Sequence, residues 1–146
     1  MSRYFDTLNT NVRGKMKKSG ILNPDIVAAI AALGHTDSIV IADAGLPVPK
    51  GVPCIDISLT RNVPSFSQTL QAVAEELVIE SYVVAAELPG KNPGTWTEVQ
   101  TVLAGLDYER CLHEVFKKRT AEAKAIIRTG ESSPYANVIL IAGVNF

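Results

Sequence analysis

The chain has 146 residues, of which 47% are hydrophobic and 20% charged, and its formal net charge is −1 at pH 7. This length predicts one domain with a sizeable core. The near-zero net charge argues against nucleic acid or an anionic membrane as a partner, because the chain has no overall positive field to attract either of them. No apolar run approaches the roughly 20 residues that a membrane-spanning helix needs. Cys54 and Cys111 match no zinc or redox spacing, so we expect buried, reduced side chains in a cytoplasmic protein.

Residues 1–15 are polar, lack the apolar centre of a secretory signal and precede a second methionine, Met16. We therefore expect one domain over residues 16–146, with residues 1–15 as an extension outside it. A natural extension, an expression remnant and a misassigned start all fit, and the sequence does not decide between them.

In chain order, the first predicted helix begins at Asn23, a capping residue followed by proline, and ends at Gly34. A strand is predicted over residues 38–42, because this β-branched run is apolar on both faces. The prolines and glycine of residues 43–49 predict a loop, and alternation over residues 55–59 predicts a second strand. A helix capped by Ser65 and a strand over residues 82–86 follow.

In the second half, residues 89–94 are predicted to form a turn-rich loop, and Thr95 with Glu98 predicts a capping box that opens the next helix. A short strand is predicted over residues 108–112, then a helix over residues 113–128 with a break near Thr120. The last strand is predicted over residues 138–143. Strands that alternate with helices in this way predict an α/β domain of three layers with a mainly parallel central sheet.

Several common functional motifs are missing from the sequence. It contains neither G-x-G-x-x-G nor a Walker loop, which argues against a dinucleotide or nucleoside triphosphate site. It has no G-x-S-x-G motif of an esterase, and its two histidines and two cysteines are too scattered for a zinc site. We therefore predict chemistry that needs only side chains and water, with no metal and no cofactor.

Two polar residues flank the first strand. His35 lies at the corner between helix and strand, and an imidazole can both give and take a proton near neutral pH. A corner histidine that only binds a backbone carbonyl is the alternative. Asp43 follows the strand, where open α/β sheets bind ligands, although a turn-capping aspartate also fits.

The distance between these two residues constrains any shared function. Eight residue steps separate His35 from Asp43, which corresponds to roughly 25 Å in an extended chain. One small ligand cannot contact both residues at that separation. Either the chain bends between them, or neighbouring subunits each contribute one residue, and we favour a site shared between subunits.

The other candidate residues lie in the second half. His113 and Lys117 are four residues apart on one helical face, where they can bind hydroxyl groups or form a solvated polar surface. Tyr135 and Asn137 precede the last strand and offer a hydroxyl and an amide to a ligand with neighbouring hydroxyl groups, although both can equally shape a turn.

Taken together, these segments resemble the D-ribose pyranase family. The resemblance covers nearly all of residues 16–146 in order, and residues 1–15 have no counterpart in it. The matching segments are Gly20-Ile21-Leu22-Asn23, Leu33-Gly34-His35-Thr36-Asp37, Asp43-Ala44-Gly45-Leu46-Pro47-Val48-Pro49, Val63-Pro64-Ser65-Phe66, His113-Glu114-Val115-Phe116-Lys117, Ile127-Arg128-Thr129-Gly130-Glu131, Ser133-Pro134-Tyr135-Ala136-Asn137 and Ala142-Gly143-Val144.

The resemblance implies an isomerase that interconverts the pyranose and furanose forms of D-ribose, with His35 as the catalytic acid/base. It implies closed rings that pair into a homodecamer, with sites between neighbouring subunits. The residues that match the substrate-binding positions are Asp43, His113, Lys117, Tyr135, Ala136 and Asn137, of which Lys117 has the least defined role. A fucose mutarotase-like enzyme, a non-catalytic ribose sensor or carrier, and a purely structural oligomer are the alternatives.

Overall fold

One six-stranded sheet organises the fold, which we describe from a computed structural model over residues 17–146. Across the sheet the strands lie in the order β2-β5-β1-β6-β3-β4. Strand β6 is antiparallel to both of its neighbours, and the other three neighbouring pairs are parallel. The expected α/β class is confirmed, with a mixed sheet. The strands are β1 (Ser38–Ala42), β2 (Cys54–Asp56), β3 (Ile79–Ala85), β4 (Asp107–Cys111), β5 (Ala125–Arg128) and β6 (Val138–Ala142).

Within the described residues, one α-helix precedes the first strand, and four α-helices and a 3₁₀ turn, Thr120–Glu122, lie between strands. The predicted helix starts at Asn23 and Ser65 are confirmed, because the side chain of each residue accepts backbone N–H groups of the first turn. At Ser65, Gln68 completes a capping box. The helices are α1 (Pro24–Ala31), α2 (Phe66–Ala74), α3 (Leu88–Lys91), α4 (Pro93–Val102) and α5 (His113–Arg119).

Apolar side chains cover both faces of the sheet, but unequally. On one face, Ile41 and Leu140 belong to a large cluster with residues of α1, α2 and α4. On the other, Val40 and Ile139 pack with Phe116 of α5 and with the loop that follows β1. This second cluster is the smaller of the two.

The predicted helix over residues 113–128 is wrong in its second half. The helix ends at Arg119, and after the 3₁₀ turn the chain enters β5 between β1 and β2. Ile126 and Ile127 are both fully buried, one on each face of the sheet. A strand that is apolar on both faces gives the same short apolar run as a buried helix, so periodicity alone does not separate the two.

The predicted loop over residues 89–94 and the capping box at Thr95 are also wrong. Residues 88–91 form α3, and α4 already begins at Pro93, so Thr95 and Glu98 lie inside α4. Proline is tolerated in the first turn of a helix, because its missing N–H would have no partner there. The two prolines therefore start helices here instead of marking a loop.

Three further expectations concern the cysteines, the membrane and the N-terminus. Cys54 is exposed because β2 is a short edge strand, and Cys111 is half-buried, so the prediction that both are buried is wrong. Within residues 17–146, no helix is both long and apolar enough to cross a membrane. The predicted extension over residues 1–15 lies outside the described residues.

Candidate functional site

Several predicted site residues meet at one edge of the sheet, which we call the carboxyl edge because β1 ends there at Ala42. Asp43 follows β1, and Asn137 reaches the same edge because it precedes the antiparallel strand β6. His113 follows β4 at the start of α5. These segments enclose a cavity of about 320 Å³, which we call the polar cavity; its lining consists of Asp43, Gly45, Leu46, Pro47, His113, Lys117 and Tyr135.

A reciprocal pair of hydrogen bonds fixes Asp43. The amide nitrogen of Asn137 donates to Oδ2 of Asp43 over 3.1 Å, and the backbone N–H of Asp43 donates to Oδ1 of Asn137 over 2.7 Å. The N–H of Gly45 donates to the other carboxylate oxygen over 3.0 Å. Asn137 itself is fully buried and does not line the polar cavity. It therefore orients the carboxylate of Asp43 from behind.

Burial raises the pKa of Asp43 above its usual value of 3.8. The N–H of Gly45, the amide of Asn137, the N–H of Leu46 and the charge of a protonated His113 all act in the opposite direction. Removing the carboxylate from water thus outweighs its hydrogen bonds. A raised pKa indicates a carboxylate that gains from further donors, such as hydroxyl groups of a ligand.

His113 is held by both its backbone and its ring. Its N–H donates to both carboxylate oxygens of Glu87, over 3.0 and 3.2 Å. The ring stacks on Phe116 and meets the ring of Tyr135 edge-on, with centroids 5.1 Å apart. Its Nδ1 is buried and has no hydrogen-bond partner within the described part of the chain. A buried nitrogen without a partner is unfavourable, and Nδ1 is shielded from a ligand in the cavity as it is from water, so the ring lines the cavity with its other atoms.

Lys117 adds a positive charge to the polar cavity. It lies one turn after His113 on α5, and its Nζ is 2.9 Å from Oε1 of Glu114. The hydrogen bond and the charge of Lys117 lower the pKa of Glu114. Because Glu114 is exposed, this pair contributes little to stability, and Lys117 can exchange it for a ligand at small cost.

Tyr135 is presented by a braced turn. Its φ of 59° lies in the left-handed region, which is uncommon for a residue other than glycine. The amide of Asn92 donates to Oγ of Ser133 and to the backbone oxygen of Pro134, and Glu131 accepts the hydroxyl of Ser133 over 2.7 Å. Ala136, directly after Tyr135, is fully buried. These contacts fix where the tyrosine enters the cavity.

His35 lies at the opposite end of the sheet, which we call the amino edge because β1 begins there at Ser38. The N–H of Thr36 donates to the oxygen of Ala142 at the end of β6, and Nε2 of His35 is 2.8 Å from Oε1 of Glu80. His35 is half exposed. The buried strand β1 separates it from Asp43, so the structure does not bring these two residues together within one chain. The alternative in which the chain bends between them is wrong.

A second, larger cavity of about 480 Å³ is a less suitable sugar site. It lies against α1 and α2, and its lining is mostly apolar, with residues such as Leu22 and Val63. A free sugar carries a hydroxyl group on nearly every carbon and needs convergent polar groups. In residues 17–146, no group of three or more His, Cys, Asp or Glu side chains is arranged to hold a metal ion.

Three supporting residues were not identified from the sequence, namely Glu87, Asn92 and Glu131. Their partners are distant along the chain, by 26 residues for Glu87 with His113 and by 41 for Asn92 with Ser133. Glu131 also accepts the N–H of Phe66 at the start of α2. Glu131 falls within a segment that carries the family resemblance, but nothing in that segment indicates this contact.

Comparison with known proteins identifies the family. Residues 16–145 match the RbsD / FucU transport protein family. The chain belongs to this family. It is 53% identical to the D-ribose pyranase of Bacillus cytotoxicus and 51% identical to that of Bacillus licheniformis. Each alignment spans 131 residues, which are 90% of this chain and 100% of the relative.

Solved structures of the RbsD / FucU family share the fold. The structure of Bacillus subtilis RbsD complexed with D-ribose has 50% sequence identity and a TM-score of 0.87, and the match covers 90% of this chain and 100% of that one. The fucose mutarotase of Streptococcus pneumoniae in complex with L-fucose has 27% identity and a TM-score of 0.70, over 84% of this chain and 94% of that one. The resemblance inferred from the motifs is confirmed.

Proposed function

We propose that this chain is a D-ribose pyranase, an isomerase that interconverts the pyranose and furanose forms of free D-ribose without a metal or cofactor. The observation that carries the proposal is the polar cavity, where Asp43, His113, Lys117 and Tyr135 converge. The 50% identity to a protein solved with D-ribose, against 27% to one solved with L-fucose, favours ribose over fucose.

Each cavity residue has a distinct task in this proposal. The carboxylate of Asp43 accepts hydroxyl protons, while Asn137 keeps it in orientation. Lys117 donates to a sugar oxygen, and the imidazole of His113, which lines the cavity, pairs with a hydroxyl group. Tyr135 contributes its phenol, and Ala136, with its side chain buried, acts through its backbone. Because these groups are left unpaired by a sugar with a different hydroxyl pattern, the site discriminates between sugars.

The proposed reaction is proton transfer by His35. The imidazole takes the proton of the anomeric hydroxyl, the bond between C1 and the ring oxygen breaks, and the ring oxygen is protonated. The open-chain aldehyde then closes through a different hydroxyl group, which loses its proton as the carbonyl oxygen gains one. One positioned acid/base contributes about 10²–10⁴-fold, which is adequate because the ring also opens spontaneously in water.

We further propose that the protein is cytoplasmic and that His35 reaches the polar cavity of a neighbouring subunit. Its position at the amino edge, with Asp43 at the carboxyl edge, supports this arrangement. Leu112 and Val115 are exposed apolar residues beside His113, where a neighbouring subunit would cover them. The family resemblance implies a ring-shaped homo-oligomer, a decamer, and we propose the same assembly here.

Saturation-transfer NMR on D-ribose tests the activity. We expect the wild type to transfer saturation between pyranose and furanose signals, and to do so faster for ribose than for L-fucose. Equal or faster exchange between the forms of L-fucose would favour a fucose mutarotase. Ribose binding without accelerated exchange would leave a sensor or carrier, and absence of both would leave a structural protein.

A mixing experiment tests the shared site. His35→Ala and Asp43→Asn are each purified, mixed in equal amounts and reassembled after dissociation. If a site takes these two residues from different subunits, random assembly restores both at about a quarter of the sites, and activity returns to that extent. Activity that stays at the level of the separate variants would contradict a shared site. Wild type taken through the same dissociation is the control for recovery.

A further inference from the structure

An irregularity in the sheet places Glu80 beside His35. Strand β3 pairs with β6 at Ile79↔Ala142 and at Ser81↔Ile141, so that two steps on β3 match one step on β6. Glu80 is therefore the extra residue of a β-bulge. A bulge disrupts the ladder locally and re-aims the side chain of the inserted residue. Here the side chain points to His35, whose Nε2 is 2.8 Å from Oε1 of Glu80.

The corner that carries His35 is held in a specific shape. Thr36 has a φ of 72°, an unfavourable conformation for a β-branched residue, and its N–H donates to the oxygen of Ala142. Gly143 follows Ala142, and a Cβ there would lie 3.4 Å from Cβ of Glu80. Gly143 therefore packs directly against the residues of the bulge. Strained backbone persists only where the surrounding structure determines it, and it concentrates at functional sites.

A second carboxylate at this corner belongs to Asp37. Its Oδ2 accepts the N–H of Gly34 over 2.9 Å, and Cβ of a side chain at Gly34 would lie 3.5 Å from the same oxygen. Asp37 is therefore used in the turn that precedes β1. Glu80 is the carboxylate in direct contact with the imidazole of His35.

We propose that Glu80 is a positioning residue for the acid/base His35, an inference that rests on the proposed function. Glu80 accepts the proton on Nε2 of His35, which leaves Nδ1 unprotonated in the neutral imidazole. Nδ1 then takes the anomeric proton of ribose and returns it to the ring oxygen as the C1–oxygen bond breaks. The carboxylate of Glu80 then stabilises the imidazolium that forms between the two transfers.

Kinetics of three variants test this proposal. Glu80→Ala removes the acceptor, Glu80→Gln keeps an acceptor oxygen without the charge, and Glu98→Gln is the control on an exposed face of α4. We expect Glu80→Ala to lower kcat about tenfold to a hundredfold with an unchanged Kd for ribose. Glu80→Gln recovers part of this loss, and Glu98→Gln matches the wild type. An active wild type whose kcat is unaffected by Glu80→Ala overturns the proposal.

The ring nitrogens of His35 provide a readout that does not depend on activity. Long-range ¹H–¹⁵N spectra above neutral pH assign the tautomer, and we expect protonated Nε2 in the wild type and in Glu80→Gln. In Glu80→Ala we expect a mixture of the two tautomers. If the wild type carries its proton on Nδ1, the proposal is wrong even when ribose exchange is fast. If exchange is absent while Nε2 is protonated as expected, the proposed function fails and the contact between Glu80 and His35 stands.

Discussion

The two ends of the sheet differ in how their polar residues are held. At the carboxyl edge, Asp43 and His113 are partly buried, and hydrogen bonds from three separate segments fix them. At the amino edge, His35 is half exposed and contacts one side chain. A group that binds a ligand benefits from a fixed position, whereas a group that carries a proton must change its charge. In the proposed function, the carboxyl edge holds the sugar and the amino edge moves the proton.

Replacing His35 has the largest expected effect and is the most direct test of whether the two edges have separate roles. We expect His35→Ala to lower kcat about 10²–10⁴-fold, because no other imidazole lies at the amino edge to move the proton. Binding of ribose should change little, since the cavity residues remain. Saturation transfer measures the rate, and a titration followed by NMR measures Kd. If affinity falls in proportion to the rate, His35 holds the sugar and the division between the two ends is wrong.

Replacing Asp43 tests the other end. We expect Asp43→Asn to weaken ribose binding by about tenfold to a hundredfold, because hydrogen bonds to a charged acceptor are stronger than those to a neutral one. The pH dependence sharpens the test. Burial raises the pKa of Asp43 above 3.8, so wild-type affinity should fall as the pH decreases through that raised pKa. The variant should show weak affinity and no such acid limb. A wild type with constant affinity down to about pH 4 would contradict this prediction.

The same comparison shows how far the sequence determines the site. Asp43, His113, Lys117 and Tyr135 could be predicted because each follows a local signal, such as the end of an apolar run or helical spacing, and the structure places all four around one cavity. Their roles in binding ribose stay predictions. The position of β5 could not be read from residues 125–128, because a fully buried strand lacks the alternation that identifies one.

The supporting contacts could not be predicted either. Glu87 meets His113, and Glu131 meets Phe66, only because the strand order brings the ends of β2, β3, β4 and β5 to one edge. Strand order is a long-range property that no short pattern encodes. The separation of His35 from Asp43, in contrast, could be predicted from the sequence, since it depends only on the extended five-residue strand between them.

Replacing Glu87 has a smaller expected effect on the carboxyl edge. Glu87 accepts the N–H of His113 with both oxygens at the start of α5, which corresponds to capping by a charged group. We expect Glu87→Ala to lower the free energy of unfolding by about 1 kcal/mol and to weaken ribose binding, because α5 also carries Lys117. Urea unfolding and NMR titration measure the two changes. Glu87→Gln keeps one acceptor and should recover most of both, and failure to do so would show that the negative charge itself is required.

The smallest expected effect compares Asp43 with Asp56, an exposed aspartate on β2. The hydroxyl and N–H of Ser58, together with Arg128, lower the pKa of Asp56 below 3.8, whereas burial raises that of Asp43. The folded state therefore releases the proton of Asp56 more readily than the unfolded chain does. The ionised carboxylate of Asp56 stabilises the fold fully above pH 3.8, and this stabilisation is lost as the pH falls through the lowered pKa. For Asp43 the pH dependence of stability has the opposite sign, because the folded state binds the proton of Asp43 more tightly than the unfolded chain does. The contribution of Asp43 to stability is therefore greatest at low pH and declines as the pH rises through the raised pKa.

Two variants distinguish these opposite pH dependences of stability. We expect Asp56→Asn to lower the free energy of unfolding at neutral pH by less than about 1 kcal/mol, since the ion pair with Arg128 is exposed. This deficit should disappear in acid, where the wild-type carboxyl is also neutral. For Asp43→Asn, we expect no loss of unfolding free energy at neutral pH that disappears in acid. Urea unfolding of both variants and the wild type between about pH 3 and pH 7 gives the three curves. Parallel curves for the two variants would mean that burial does not dominate at Asp43, and the carboxyl edge would then resemble the exposed surface around Asp56.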